Sequence, residues 1–179
     1  MRYSVYFFAM NGLQVAAQFA KPDKLLDQMV DRIRQTNQFS EMEVQESHEL
    51  ARQICAGLLP DDCEPGYFNA LCWLCEVAGE KIDIPGFTLL RSSSCIDDIG
   101  IWEWFQDTRT PFAVPTVSEP PPEVGFLQCS DIESIVLPGL PELGECHDSE
   151  CESARTHFKE VVESVQEDGL DLLAVILCS

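Results

Sequence analysis

The chain begins and ends on apolar runs of strand length, and this places the tightest limit on its fold. The first run, YSVYFFAM at residues 3–10, is rich in aromatic and branched side chains and predicts a buried strand. The last, LDLLAVIL at residues 170–177, is apolar almost without interruption and predicts a closing strand. Between them lie segments of helical periodicity. The simplest arrangement pairs the terminal strands in one small sheet and lays about four to five helices against it, an α+β fold.

The helical segments carry their own punctuation. Asn11 is placed to cap a short helix over residues 12–19, closed by Lys21-Pro22. Asp23 is expected to cap a second, in which Leu25, Leu26, Met29, Val30 and Ile33 form one stripe. TNQFSEMEVQESHE interrupts the pattern with polar residues, and a third helix is expected from about Val44 to Leu59, burying Leu50, Ile54 and Leu58. Pro65-Gly66 opens a fourth, with Phe68, Leu71, Cys72, Cys75 and Ala78 on one face and Gly79 as its stop. Ser149 and Glu152 fit a capping box for a last helix to about Gln166, whose apolar side carries Ala154, Phe158, Val161, Val162 and Val165. Gly169 then marks a turn.

Residues 80–108 are less regular. Five of the eleven prolines fall in residues 111–125, which excludes a helix interior or a central strand there. We expect a proline-rich surface loop at about 108–125, with Pro120 to Pro122 in an extended polyproline conformation. The 179 residues suit one domain, residues 1–179, with this loop as an excursion. No internal repeat is present.

Charge limits the partners. Thirty-one Asp and Glu stand against 11 Lys and Arg, for a net charge of −20. Nucleic acid and anionic membrane surfaces are disfavoured, because both need clustered basic side chains. The imbalance is uneven: residues 1–60 hold six basic and seven acidic side chains, residues 61–179 five basic and 24 acidic. A field of that sign speeds encounter with a basic protein, and also serves simple solubility.

Nine cysteines cannot all pair within one chain. The N-terminal run imitates a secretion signal but holds only about eight apolar residues before Asn11 and Gly12. No stretch approaches the roughly 20 apolar residues that span a bilayer. A cytoplasmic protein with reduced thiols is the expectation.

Three constellations are candidates for chemistry. In GECHDSECESARTHF, Cys146, His147 and Cys151 could supply three metal ligands or a thiol activated at a helix start. His157, six residues past Cys151, lies about 240° around the helix and points away from it. The capped helix start explains these residues without a ligand. The Cys72-x-x-Cys75 pair falls about two turns inside its helix, where a redox pair would open one, and reads as core. In IWEWFQDTR, an extended backbone would put Trp102 and Trp104 on one face and Glu103 and Phe105 on the other, with Asp107 and Arg109 nearby. Such a set can line a pocket or anchor a partner, and tryptophans are also ordinary core residues.

No hydrolase elbow, phosphate-binding loop, dinucleotide fingerprint or HExxH zinc motif occurs. His48, His147 and His157 accompany no nucleophile in a diagnostic motif. No cofactor is implied, and the residues give no argument for an enzyme.

Taken together, YSVYFFAMNGL, AKPDKLLDQMV, EVGFLQCSDIESI and GLDLLAVIL resemble the pattern of an uncharacterised bacterial family known only as a domain of unknown function. More distantly the chain is similar to the YfbM-like proteins, small α+β proteins with comparable strand-bearing ends. The resemblance implies the fold and carries over no activity and no catalytic residue. Cys72, Cys75, Cys146 and Cys151 lie outside that pattern.

The reading that follows is a cytoplasmic, non-enzymatic binding protein whose acidic residues 61–179 capture a basic protein, as toxin-neutralising or regulatory proteins do, with Trp102 and Trp104 as anchors. Its alternatives are a small enzyme using a metal or reactive cysteine near 146–151, and a small-molecule binder with an aromatic pocket at 101–109.

Overall fold

A computed structural model describes residues 2–82, 88–90, 104–105, 109–116, 124–140 and 149–178. The two terminal runs are neighbours at its centre. Strand β1 (Arg2–Met10) pairs antiparallel with β5 (Asp171–Cys178), in register from Tyr3 opposite Cys178 to Met10 opposite Asp171. β4 (Val124–Leu127) lies antiparallel on the far side of β5. On the other side of β1, β2 (Glu80–Ile82) pairs with Phe7 to Ala9, and β3 (Thr88–Leu90) with Arg2 to Ser4. The two short strands thus share one edge of β1, and the fold is α+β, as its ends foretell.

Both faces of this sheet are covered, which explains why its central strands read as continuous apolar runs and not as alternation. Phe8 and Met10 of β1, Leu173 and Val175 of β5, and Val124 and Phe126 of β4 belong to one core. Phe7, Ala9, Leu172, Ala174, Ile176 and Leu127 point the opposite way into a second. A one-residue slip in register would exchange the two sets.

The first core is roofed by four helices: α1 (Gly12–Phe19), α2 (Asp23–Gln35), α3 (Glu41–Cys55) and α4 (Pro65–Ala78). Asn11 caps α1 as the sequence predicts, its side chain accepting the Gln14 backbone N–H. Asp23, by contrast, is not the cap of α2. Pro22 holds that position without a side-chain bond, and Asp23 is the first helical residue, where its carboxylate meets the positive end of the helix dipole. In α4, Pro65 stands at the first turn and Phe68, Leu71, Cys72 and Cys75 are buried, together with Ala70 and Leu74. Full burial of side chains the size of Phe68 and Leu71 contributes about 1.5–3 kcal/mol each.

Helix α3 departs from expectation at both ends. It begins at Glu41, inside the polar stretch, because Ser40 and Glu43 form a reciprocal capping box. It stops before Gly57, whose φ of +65° lets the chain reverse. The Leu58 N–H reaches the Gln53 carbonyl and the Gly57 N–H that of Ile54, the two bonds of a Schellman turn. Leu58 is left 66% exposed instead of buried, and the inward residues are Val44, Ala51 and Ile54, with Leu50 half-buried.

The second core is closed by α5 and α6. α5 is a continuous run of Cys129–Asp131, the π-helical Ile132–Val136 and Leu137–Gly139. α6 (Ser149–Glu167) buries Phe158, Val162 and Val165 and ends in a second Schellman turn at Gly169. Of the proline-rich segment, residues 109–116 form no helix or strand. Phe112 pins them to the first core, its ring 4.8 Å from that of Phe19 and 6.4 Å from that of Phe126.

Candidate functional site

Trp104 and Arg109 are the two aromatic-segment candidates that the structure describes. Trp102, Glu103 and Asp107 lie outside the described residues, as do Cys146 and His147. Cys151 belongs to the first turn of α6, and its side chain lies outside the description. Trp104 is helical and Phe105 turns, so these two do not follow the extended alternation expected of them. The cause is packing from both sides. Phe105 is fully buried, 6.0 Å from the Phe7 ring and 6.2 Å from the Phe158 ring. Gly125 gives it room: a Cβ there would stand 2.6 Å from the Phe105 carbonyl oxygen. The half-buried Trp104 indole stacks on Phe158 at 6.4 Å and 17°, with Gly139 beneath its edge.

This clamp forms one wall of a cavity of about 190 Å³ at the β4 edge of the sheet. Trp104 and Arg109 line it with Phe126, Leu127, Asp131, Ile135 and Val136. The last three come from α5, Ile135 and Val136 from its π-helical turns, which are wider than α-helical ones. Sequence reasoning reached Trp104 and Arg109 but missed these partners. The one signal available was the clustering of β-branched residues in SDIESIV after a strand, which reads as core and not as a site wall.

The cavity offers an aromatic face, a guanidinium from exposed Arg109, a half-buried carboxylate from Asp131 and apolar contact from Ile135 and Val136. Such a set can seat a side chain or a small polar molecule. Among the described lining residues, none carries a hydroxyl, a thiol or an imidazole.

Four of the described thiols are shifted away from reactivity. Burial pushes the Cys72 thiol up to about 12, with a further contribution from Glu76. Cys75 is raised well above the ordinary thiol range by complete burial and by the neighbouring Cys72 and Cys55. Cys55 is raised to about 11, again by burial. Cys129 also moves upward, through desolvation first and then the carboxylates of Asp171 and Glu133. Reactive thiols are shifted the other way. Among the described residues, no group of three or more His, Cys, Asp and Glu side chains is arranged to hold a metal ion. No helix among them is long and apolar enough to cross a membrane.

Acidity gathers on the α5–α6 side. Glu133, Glu152, Glu160, Glu167 and Asp168 are exposed, and Asp131 and Glu163 half-buried, against Arg155 and Lys159. His157 stands 3.8 Å from Glu160 on the same face.

These features define an acidic α+β domain with helices on both faces of an antiparallel sheet and a small aromatic cavity at one sheet edge. The chain belongs to the family described as Domain of unknown function (DUF7691), whose model matches residues 1–176. No curated protein and no solved structure matches it.

Proposed function

We propose that this chain is a non-enzymatic binding protein that captures a basic protein through the acidic surface of residues 61–179. The observation that carries the reading is the imbalance of 24 acidic against five basic side chains in that stretch. Five of those acidic groups stand exposed on and beside α5 and α6. Carboxylates on a helical face steer a cationic partner electrostatically, and a nearby pocket gives it an apolar foothold. Trp104, Arg109 and the exposed Ile135 supply that foothold. A bacterial, cytoplasmic setting and an immunity or regulatory role accord with this reading, as does the distant likeness to YfbM-like proteins.

The test is capture of a partner from lysate at low salt, its identification, and titration of the purified pair from about 50 to 500 mM salt. A basic partner whose affinity falls at least tenfold across that range, and falls again when Glu152, Glu160 and Glu167 are replaced by Gln, supports the reading. A complex indifferent to salt and to those replacements overturns it.

The cavity favours a second reading, a small-molecule binder. Its volume of about 190 Å³ suits a fragment-sized ligand against the Trp104 indole. Saturable quenching of tryptophan fluorescence by a metabolite, abolished in Arg109→Gln, would select this reading over the first.

A further inference from the structure

Only two basic residues occur between positions 110 and 179, where 14 acidic ones stand, and both face the same groove. They are Arg155 and Lys159, one turn apart on α6. Opposite them stand the half-buried Leu137 of α5 and the largely buried Leu140 that caps it. Thr156 and Glu163 are the other described residues lining this groove of about 550 Å³. This lies within the roughly 300–1,000 Å³ that accommodates small-molecule ligands.

The polar groups here are only lightly engaged with one another. Arg155 donates from one terminal nitrogen to the Leu140 carbonyl at 3.1 Å, which fixes its guanidinium at the groove. A guanidinium carries five N–H donors in a planar fork suited to a carboxylate. Lys159 meets Glu163 at 3.7 Å with both side chains about half exposed, a contact that a better-placed anion can displace. The Thr156 hydroxyl donates to the Glu152 carbonyl and is turned to its own helix. Two cations beside two leucines match an anionic head joined to an apolar body.

We propose that the groove between α5 and α6 binds a small amphipathic carboxylate, its head group held by Arg155 and Lys159 and its apolar body laid on Leu137 and Leu140. Its described lining shares no residue with that of the Trp104 cavity, and its charge preference is opposite to the capture of a basic protein, so either proposal can fail without the other.

The experiment is a titration of the full chain with octanoate, octan-1-ol and octylammonium, followed by backbone amide NMR shifts. Octanoate is expected to bind saturably and to shift amides in residues 137–140 and 155–163. Octan-1-ol should bind there at least tenfold more weakly, and octylammonium should leave these amides unmoved. Lys159→Gln, at an exposed position, should weaken octanoate about tenfold with an unchanged melting temperature. Arg155→Gln should weaken it as much or more. Equal affinity for octan-1-ol and octanoate, shifts confined to other regions, or an undiminished affinity in Lys159→Gln would each overturn the proposal.

Discussion

Asp171, the first residue of β5, accepts the backbone N–H of Gly12, the first residue of α1, through Oδ2 at 2.9 Å. Its other oxygen accepts the Cys129 backbone N–H at 2.9 Å, at the start of α5. One carboxylate therefore satisfies the leading N–H of a helix on each face of the sheet, two donors that their own helices leave without partners. Gly12 is as small as the contact demands. A Cβ there would meet Asp171 Oδ2 at 2.8 Å, Pro111 Cγ at 2.9 Å and Phe126 Cζ at 3.0 Å.

Replacing Asp171 should consequently disturb both layers at once. Asp171→Ala is expected to cost about 2–4 kcal/mol, since it strands two partly buried donors. Asp171→Asn, which keeps one acceptor oxygen, should cost less. Gly12→Ala forces the carboxylate, the proline or the phenylalanine aside and should cost about 1–3 kcal/mol. Urea unfolding of the three variants checks the order. Equal losses for Asp171→Ala and Asp171→Asn would show that the bridge contributes through charge and not through its two acceptors.

The wall of the Trp104 cavity makes a second prediction. Gly125 sits against the Phe105 backbone and Gly139 against the Trp104 indole, where a Cβ would approach Cζ2 to 2.9 Å. The first neighbour is immovable main chain and the second is a half-buried ring with room to tilt. Gly125→Ala should thus destabilise by about 3 kcal/mol or more. Gly139→Ala should cost about 1 kcal/mol and shift the tryptophan emission, because it moves the indole off Phe158. Thermal melts and fluorescence spectra of the two variants separate the cases.

How far the sequence disclosed all this depends on where each signal resides. β1 and β5 were legible because burial on both faces removes polar residues from consecutive positions. α1 and α4 were legible because Asn11, Pro65 and Gly79 mark their ends chemically. The start of α3 was hidden, since Ser40 to Glu43 caps a helix with the same polar residues that suggest a loop. Its end was hidden because Leu58 continues the apolar pattern past the reversal at Gly57. β2 and β3, three residues each, are too short to show a period and are defined only by their partner β1. Most of the described cavity lining was out of reach for a similar reason. Asp131, Ile135 and Val136 follow Trp104 by about 30 positions, and only the pairing of β4 with β5 brings their segment beside it.

Glu49 offers a local test of the surface electrostatics. Its carboxylate accepts two hydrogen bonds from Arg52, at 2.9 and 2.7 Å, and one from Gln53 at 3.1 Å. The Arg52 bonds first, and then that of Gln53, hold it down at about 2. NMR titration should find Glu49 ionised well below the ordinary carboxylate range, and Arg52→Gln should return it toward that range. An unchanged midpoint in that variant would remove Arg52 as the cause.

The buried thiols predict the alkaline limit of the fold. Cys72 and Cys75 are neutral in the native state, with Cys72 raised to about 12 from an ordinary value of 9.0 and Cys75 also well above it. In the unfolded chain both ionise near 9, so the unfolded state binds fewer protons above that pH. Their contribution to stability is therefore complete below about 9 and falls as pH rises from there toward about 12. The loss should be smaller in Cys72→Ala, which removes one of the two groups and, by leaving a small cavity, lowers stability by about 1–2 kcal/mol near neutrality. Thiol labelling at pH 8 gives an independent reading: Cys72 and Cys75 should stay unmodified in the native protein and react when it is unfolded in denaturant. Rapid native labelling of either one would mean that α4 opens locally far more often than its burial implies.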